Sequence, residues 1–141
     1  MLNETLKEEI QNAYSRLLEQ KGFRPRHCQK SMIAEIARTL GGLDENEDRV
    51  CVIEAGTGTG KTLAYALAAI PVARHYRKKL VIATATVALQ EQIVFQDLPD
   101  IRQHAELDFS FALAKGRRRY LCLARLDTAL QDSPNHSLAL F

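Results

Sequence analysis

The chain has no tryptophan and three cysteines, and the cysteines are few enough to exclude a whole class of small proteins. Cys28, Cys51 and Cys122 are odd in number and show no CxxC spacing, so no disulfide framework is encoded. The first ten residues, MLNETLKEEI, carry charges of both signs and lack an apolar h-region, which excludes a signal peptide. The longest apolar stretch, 63–73, is interrupted by Pro71 and is too short to span a bilayer. Neither internal repeats nor low-complexity tracts occur. A protein of the cytoplasm without a membrane partner is the expectation.

A dominant charge is also missing. The net charge is +2, too small to argue for nucleic acid by itself. Its distribution is uneven. Residues 1–48 hold seven Lys and Arg against nine Asp and Glu, and residues 49–141 hold twelve against eight. The positive surplus of the second part is a weak pointer to an anionic partner.

What is present is one domain's length of chain, 141 residues, with 46% apolar composition, enough for a single core. Leu6, Ile10, Ala13, Tyr14, Leu17 and Leu18 recur at spacings of three and four, which predicts an amphipathic helix over 4–20 stopped by Lys21-Gly22. Pro25 disfavours a helical Arg24. A second helix is predicted over 29–40, with Met32, Ile33, Ile36, Ala37 and Leu40 on its buried side. Gly41-Gly42 ends it, and Asp44 to Asp48 form an acidic loop.

From residue 49 the pattern changes. VCVIEA (50–55), KLVIATA (79–85) and DFSFALA (108–114) read as strands, the first two nearly continuous apolar runs of the kind buried on both faces. Helices are predicted between them over 61–77, with a kink at Pro71, and over 87–98. Strand, helix, strand, helix, strand after a helical preface implies an α/β fold with a parallel sheet.

Between the first strand and its helix lies EAGTGTGKT, Glu54 to Thr62. The phosphate-loop pattern G-x-x-x-x-G-K-[ST] is met over 55–62 except at its first position, where Ala55 stands in for glycine. Gly56, Gly58 and Gly60 permit a loop whose backbone N–H groups converge on one point, flanked by Thr57 and Thr59. The helix beginning near Lys61 aims its positive end there. Lys61 can reach the β- and γ-phosphates of a bound nucleotide, and the Thr62 hydroxyl can ligate Mg²⁺. An ordinary glycine turn is the bland alternative, and the strand-loop-helix context argues against it. About fifty mostly helical residues precede the loop, unlike a small-molecule kinase, and no NKxD guanine-reading motif is present.

Four stretches in order resemble the DinG and XPD type of superfamily 2 DNA helicases, over nearly the whole chain. FRPRHCQKSMI (23–33) is similar to the family's Q-motif region, with Arg26 and Gln29 at the matching positions. The resemblance implies that Gln29 reads adenine, which a primary amide can do by pairing with N6 and N7; alone, it is a polar residue at a helix start. EAGTGTGKT is close to the family's Walker A loop. ATATVALQEQ (83–92) looks like motif Ia, with Thr84, Thr86, Gln90 and Gln92 as candidates for contacts to the backbone of single-stranded DNA. Here the alternative is a strand–helix junction whose Thr86 simply caps the helix.

AKGRRRYLCLAR (114–125) resembles the segment that carries the first cysteine of the family's iron–sulfur cluster, with Gly116, Arg119, Tyr120 and Cys122 matching. A [4Fe–4S] cluster takes four thiolates. Leu123 stands where family members often carry proline. On its own, Cys122 reads as a buried core thiol.

The resemblance implies a RecA-like P-loop NTPase fold divided as a helical region with the Q-motif-like segment (1–48), a partial P-loop core (49–115) and the start of an iron–sulfur-domain-like segment (116–141). No DExH box follows an apolar strand, and no cysteine follows Cys122. The chain therefore reads as the N-terminal part of a helicase that hydrolyses ATP with Mg²⁺, moves 5′ to 3′ on single-stranded or forked DNA and acts as a monomer. The cluster belongs to the complete protein, and this part alone is expected to be inactive. Two other classes stay open: a P-loop phosphotransferase, and a nucleotide-binding module that regulates a partner.

Overall fold

The structure is a computed structural model and describes residues 3–41 and 49–131. The chain divides into two compact units, Met1–Phe111 and Ala112–Phe141. The acidic stretch Asp44 to Asp48 lies outside the described residues.

In the first unit, α1 spans Glu4–Lys21. The Asn3 side chain accepts from Thr5 N at 3.1 Å and supplies the N-cap. At the other end Gly22 adopts φ 64°, its N–H bonds Glu19 O, and Phe23 N–H bonds Leu18 O. This is the paired closure of a Schellman motif, and only glycine takes the left-handed position cheaply. Helix α2, His27–Leu40, begins two residues after Pro25 with Arg26 at its N-cap, two residues earlier than the apolar spacing suggested.

Helix α3, Lys61–His75, is the centre of the unit. Ala64 and then every residue from Ala66 to Val72 are buried, as expected of a helix covered on all sides. Helices α1 and α2 both pack on it, so the helical preface and the loop's own helix share one core. Surface ion pairs Arg74–Glu9 (3.1 Å) and Lys21–Asp100 (2.6 Å) join α1 to its neighbours. With side chains 29% to 45% exposed, each contributes at most about 1 kcal/mol, so apolar burial dominates.

The expected helix 87–98 is longer and less regular. It begins as α4, Val87–Gln92, passes through a π-helical turn at Ile93–Asp97, and continues as α5, Leu98–His104. Pro99 sits in the first turn of α5, where its missing N–H would otherwise orphan a carbonyl of a regular helix. The wide turn just before it takes up the mismatch.

The parallel sheet is not seen: the described residues contain no strand. Residues 50–55, 79–85 and 108–114 carry no ladder. Burial along these runs is one-sided. Cys51, Ile53 and Ala55 alternate with the open Val50 and Val52, which are 82% and 91% exposed. Ile53, Ala55, Ile82 and Phe109 pack on the helical core, while Leu80 and Val81 are exposed. Only one side of these stretches is covered, and a strand buried on both faces needs two layers.

In the second unit, Arg117–Arg119 form a 3₁₀ turn and α6 spans Leu123–Gln131. Residues 114–131 are exposed throughout. Among the described residues, no helix is long and apolar enough to cross a membrane.

Candidate nucleotide site

The glycine loop is shaped by two left-handed positions, Gly58 at φ 73° and Gly60 at φ 78°. A side chain at either is strained, which is the backbone reason for glycine at alternate positions. Gly60 immediately precedes α3, so the loop ends where the helix's free N–H groups begin.

Each predicted residue of the loop has a definite place. The Lys61 ammonium donates to the carbonyls of Ala55 (2.7 Å) and Gly56 (2.8 Å). Thr59 Oγ1 donates to the same Gly56 carbonyl at 2.9 Å. Thr57 is exposed at the tip. Lys61 is itself exposed, so its charge is held at the loop's mouth rather than buried in the core. A phosphate has more negative charge to offer than two peptide oxygens, and a flexible lysine can exchange the one for the other.

The Q-motif-like residues come to the same loop from α2. Arg26 Nη1 donates to the Gly58 carbonyl at 2.7 Å. Gln29 is only 7% exposed and lies against Gly60, where an added Cβ would collide with its amide nitrogen. Residues 32 and 31 positions apart in sequence thus meet. The spacing R-x-x-Q allowed this, since one turn of helix separates the two side chains.

Thr62 is half-buried in the first turn of α3, one turn before Tyr65. Burial pushes the Tyr65 phenol above its ordinary 10.0; the nearby Thr62 side chain opposes this and the charge of Asp97 adds to it. Asp97 closes the π-helical turn. Burial raises its carboxyl above the ordinary 3.8, the Gln92 amide opposes the rise, and the charge of Asp100 adds to it. Gln92 Nε2 reaches Asp97 Oδ2 at 3.4 Å, a pairing five residues apart that suits the π turn.

At the motif Ia stretch, Thr86 Oγ1 accepts from Leu89 N at 3.2 Å and so does cap α4. That leaves its hydroxyl proton to donate. Thr84 Oγ1 instead donates to Thr86 O at 3.1 Å, so it would have to turn to face a phosphate. Gln90 is half-buried on the same short helix.

The second unit overturns the buried-thiol alternative for Cys122, which is exposed. Gly116 O accepts from Arg119 N (2.8 Å), and the Tyr120 hydroxyl accepts from Lys115 N (2.8 Å). Cys122 O accepts from Leu126 N at the start of α6. No group of three or more His, Cys, Asp or Glu among the described residues is placed to hold a metal ion. A single thiol does not make a four-thiolate site, so this unit's residues do not by themselves fit a [4Fe–4S] cluster.

Three participants escaped sequence reading. Tyr14 figured there only as an apolar core position, yet its hydroxyl bonds Gln29 Oε1 (3.2 Å) and Arg26 N (3.3 Å). Tyr65 and Asp97 gave no motif signal at all. The one available clue was that a buried tyrosine seeks a partner for its hydroxyl.

A glycine loop at a helix N-terminus, with a lysine folded over it and a threonine next in line, defines the class: the P-loop NTPase fold. The family model "DEAD/DEAH box helicase" matches residues 26–130, and the chain belongs to that family. It is 44% identical over 142 residues to the ATP-dependent DNA helicase DinG of Photobacterium profundum, covering 100% of this chain and 20% of that protein. It is 44% identical over 134 residues to DinG of Salmonella typhimurium and 43% over 134 residues to DinG of Escherichia coli K12. In both, the match covers 94% of this chain and 18% of the relative.

Proposed function

We propose that this chain is the ATP-holding part of an ATP-dependent DNA helicase of the DinG type. The observation that carries the proposal is the convergence on one loop of Lys61, Arg26 and Gln29, beside two left-handed glycines. The loop from Ala55 to Gly60 would take the phosphates on its backbone N–H groups. Lys61 would leave the Ala55 and Gly56 carbonyls for the β- and γ-phosphates, and Thr62 would hold Mg²⁺. The ion supplies charge neutralisation at the phosphates when bound. Gln29 would read the adenine.

The finer points rest on the resemblance. A parallel RecA-like sheet would form from 50–55, 79–85 and 108–114, with 1–48 as its helical preface. Single-stranded or forked DNA would lie along Thr84, Thr86, Gln90 and Gln92, Thr86 having the hydroxyl proton best disposed to donate. Cys122 would be one of four cluster ligands in a full-length protein. Hydrolysis and unwinding would belong to such a full-length protein; the chain spans about a fifth of the length of the DinG relatives it matches.

Titration calorimetry with Mg-ATP on the unchanged chain and on Lys61→Ala tests the core of this reading. Measurable binding that is lost in Lys61→Ala supports it. Equal affinities would remove Lys61 from the site.

A further inference from the structure

Helix α1 contributes a residue that no loop motif contains. Tyr14 is 8% exposed among otherwise aliphatic neighbours on the buried face, Leu6, Ile10, Ala13 and Leu17. A phenylalanine would fill the same space, so packing does not account for the hydroxyl. That hydroxyl uses both of its capacities. It donates to Gln29 Oε1 at 3.2 Å and accepts from Arg26 N at 3.3 Å.

We propose that Tyr14 is a positioning residue for base recognition, setting which way the Gln29 amide faces. A primary amide has an oxygen side and a nitrogen side of nearly equal shape, and its hydrogen bonds decide which points where. With Arg26 N–H on its oxygen, Tyr14 gives its proton to Gln29. Gln29 turns Oε1 towards that proton, and Nε2 falls against Gly60 at the mouth of the phosphate loop. The same hydroxyl anchors the backbone of Arg26, whose guanidinium holds Gly58. One buried oxygen thus ties the first helix to both residues that reach the loop. The inference rests on the adenine role proposed for Gln29.

The test is equilibrium binding of Mg-ATP and Mg-GTP to the full-length helicase carrying this segment. The variants are Tyr14→Phe, Gln29→Ala and the two combined, with thermal unfolding run beside them. Tyr14→Phe keeps the ring and should keep the fold. Its preference for ATP over GTP should fall roughly fivefold, the factor for one net hydrogen bond. Gln29→Ala should lower the same preference, and adding Tyr14→Phe to it should lower it no further, since both act through one amide. A preference unchanged in Tyr14→Phe but lost in Gln29→Ala overturns this inference and leaves the adenine reading standing. Equal weakening of ATP and GTP, or losses that simply add, also overturns it by reducing Tyr14 to a structural role. An unchanged preference in Gln29→Ala overturns the adenine reading and this inference with it.

Discussion

The Arg26 guanidinium donates to the Gly58 carbonyl at 2.7 Å and so fastens the second helix to the tip of the glycine loop. Gly58 is in the left-handed region and a Cβ there would meet nothing within 4 Å. The loop's shape at this point is therefore held by a hydrogen bond and by backbone torsion, with no packing to help.

Removing that bond should loosen the loop before any phosphate arrives. Arg26→Ala is expected to weaken Mg-ATP binding roughly tenfold, the scale of one hydrogen bond from a charged donor. The fold should survive, because Arg26 is exposed. Calorimetry together with a thermal unfolding curve separates the two effects, and unaltered affinity would show that the loop does not depend on α2.

The two left-handed glycines should differ in their response to alanine. Gly58→Ala meets only torsional strain, about 1–2 kcal/mol. Gly60→Ala meets the same strain and drives a methyl into the Gln29 amide, which is buried and tied to Tyr14. Its loss should exceed that of Gly58→Ala by about 1–3 kcal/mol, the scale of overpacking a filled site. Urea denaturation of the pair gives the order directly, and a milder Gly60→Ala would contradict the contact.

Asp97 should make stability depend on acidity in an unusual direction for a carboxylate. Burial raises its folded value above 3.8. The native state thus holds the proton more tightly than the unfolded chain, and this group's contribution is fully present below the unfolded value. It is lost as the pH rises through the folded value. Asp97→Asn keeps an oxygen for Gln92 and removes the titration. The variant should be the more stable at neutral pH, with the difference shrinking as the solution is acidified. Melting curves across that range check the sign; a difference that grows in acid would refute the burial argument.

Cys122 should be dispensable for this chain's stability and needed for iron in a full-length protein. Its side chain is exposed, so Cys122→Ser should shift unfolding by no more than about 0.5 kcal/mol. In the full-length helicase the same change should deplete iron, measured after anaerobic purification. An iron-replete Cys122→Ser protein would falsify the cluster assignment.

Local sequence was enough for the parts governed by neighbouring residues. The spacing of Leu6, Ile10, Ala13 and Leu17 specified α1 and its buried face, and Gly22 specified its end. The run GTGTGKT specified a phosphate loop, because left-handed torsion at alternate glycines and a lysine at the helix start are properties of the chain at that point. Even the two extra residues at the start of α2 were within reach, since Pro25 sets where a helix can begin.

Other features depended on what a residue meets across space. No periodicity announces that the Tyr14 hydroxyl finds Gln29 and Arg26, for that depends on how α1 and α2 both lie on α3. The π turn before Pro99 arises from fitting a proline into a helix that stays packed at Ile93, Leu98 and Ile101. The apolar runs at 50–55 and 79–85 show the same division from the other side. Their composition states that they can be buried, but a strand forms only where a neighbouring backbone completes its hydrogen bonds. Val50 and Val52 stand open because burial is a property of the surroundings and is not carried by the residue itself.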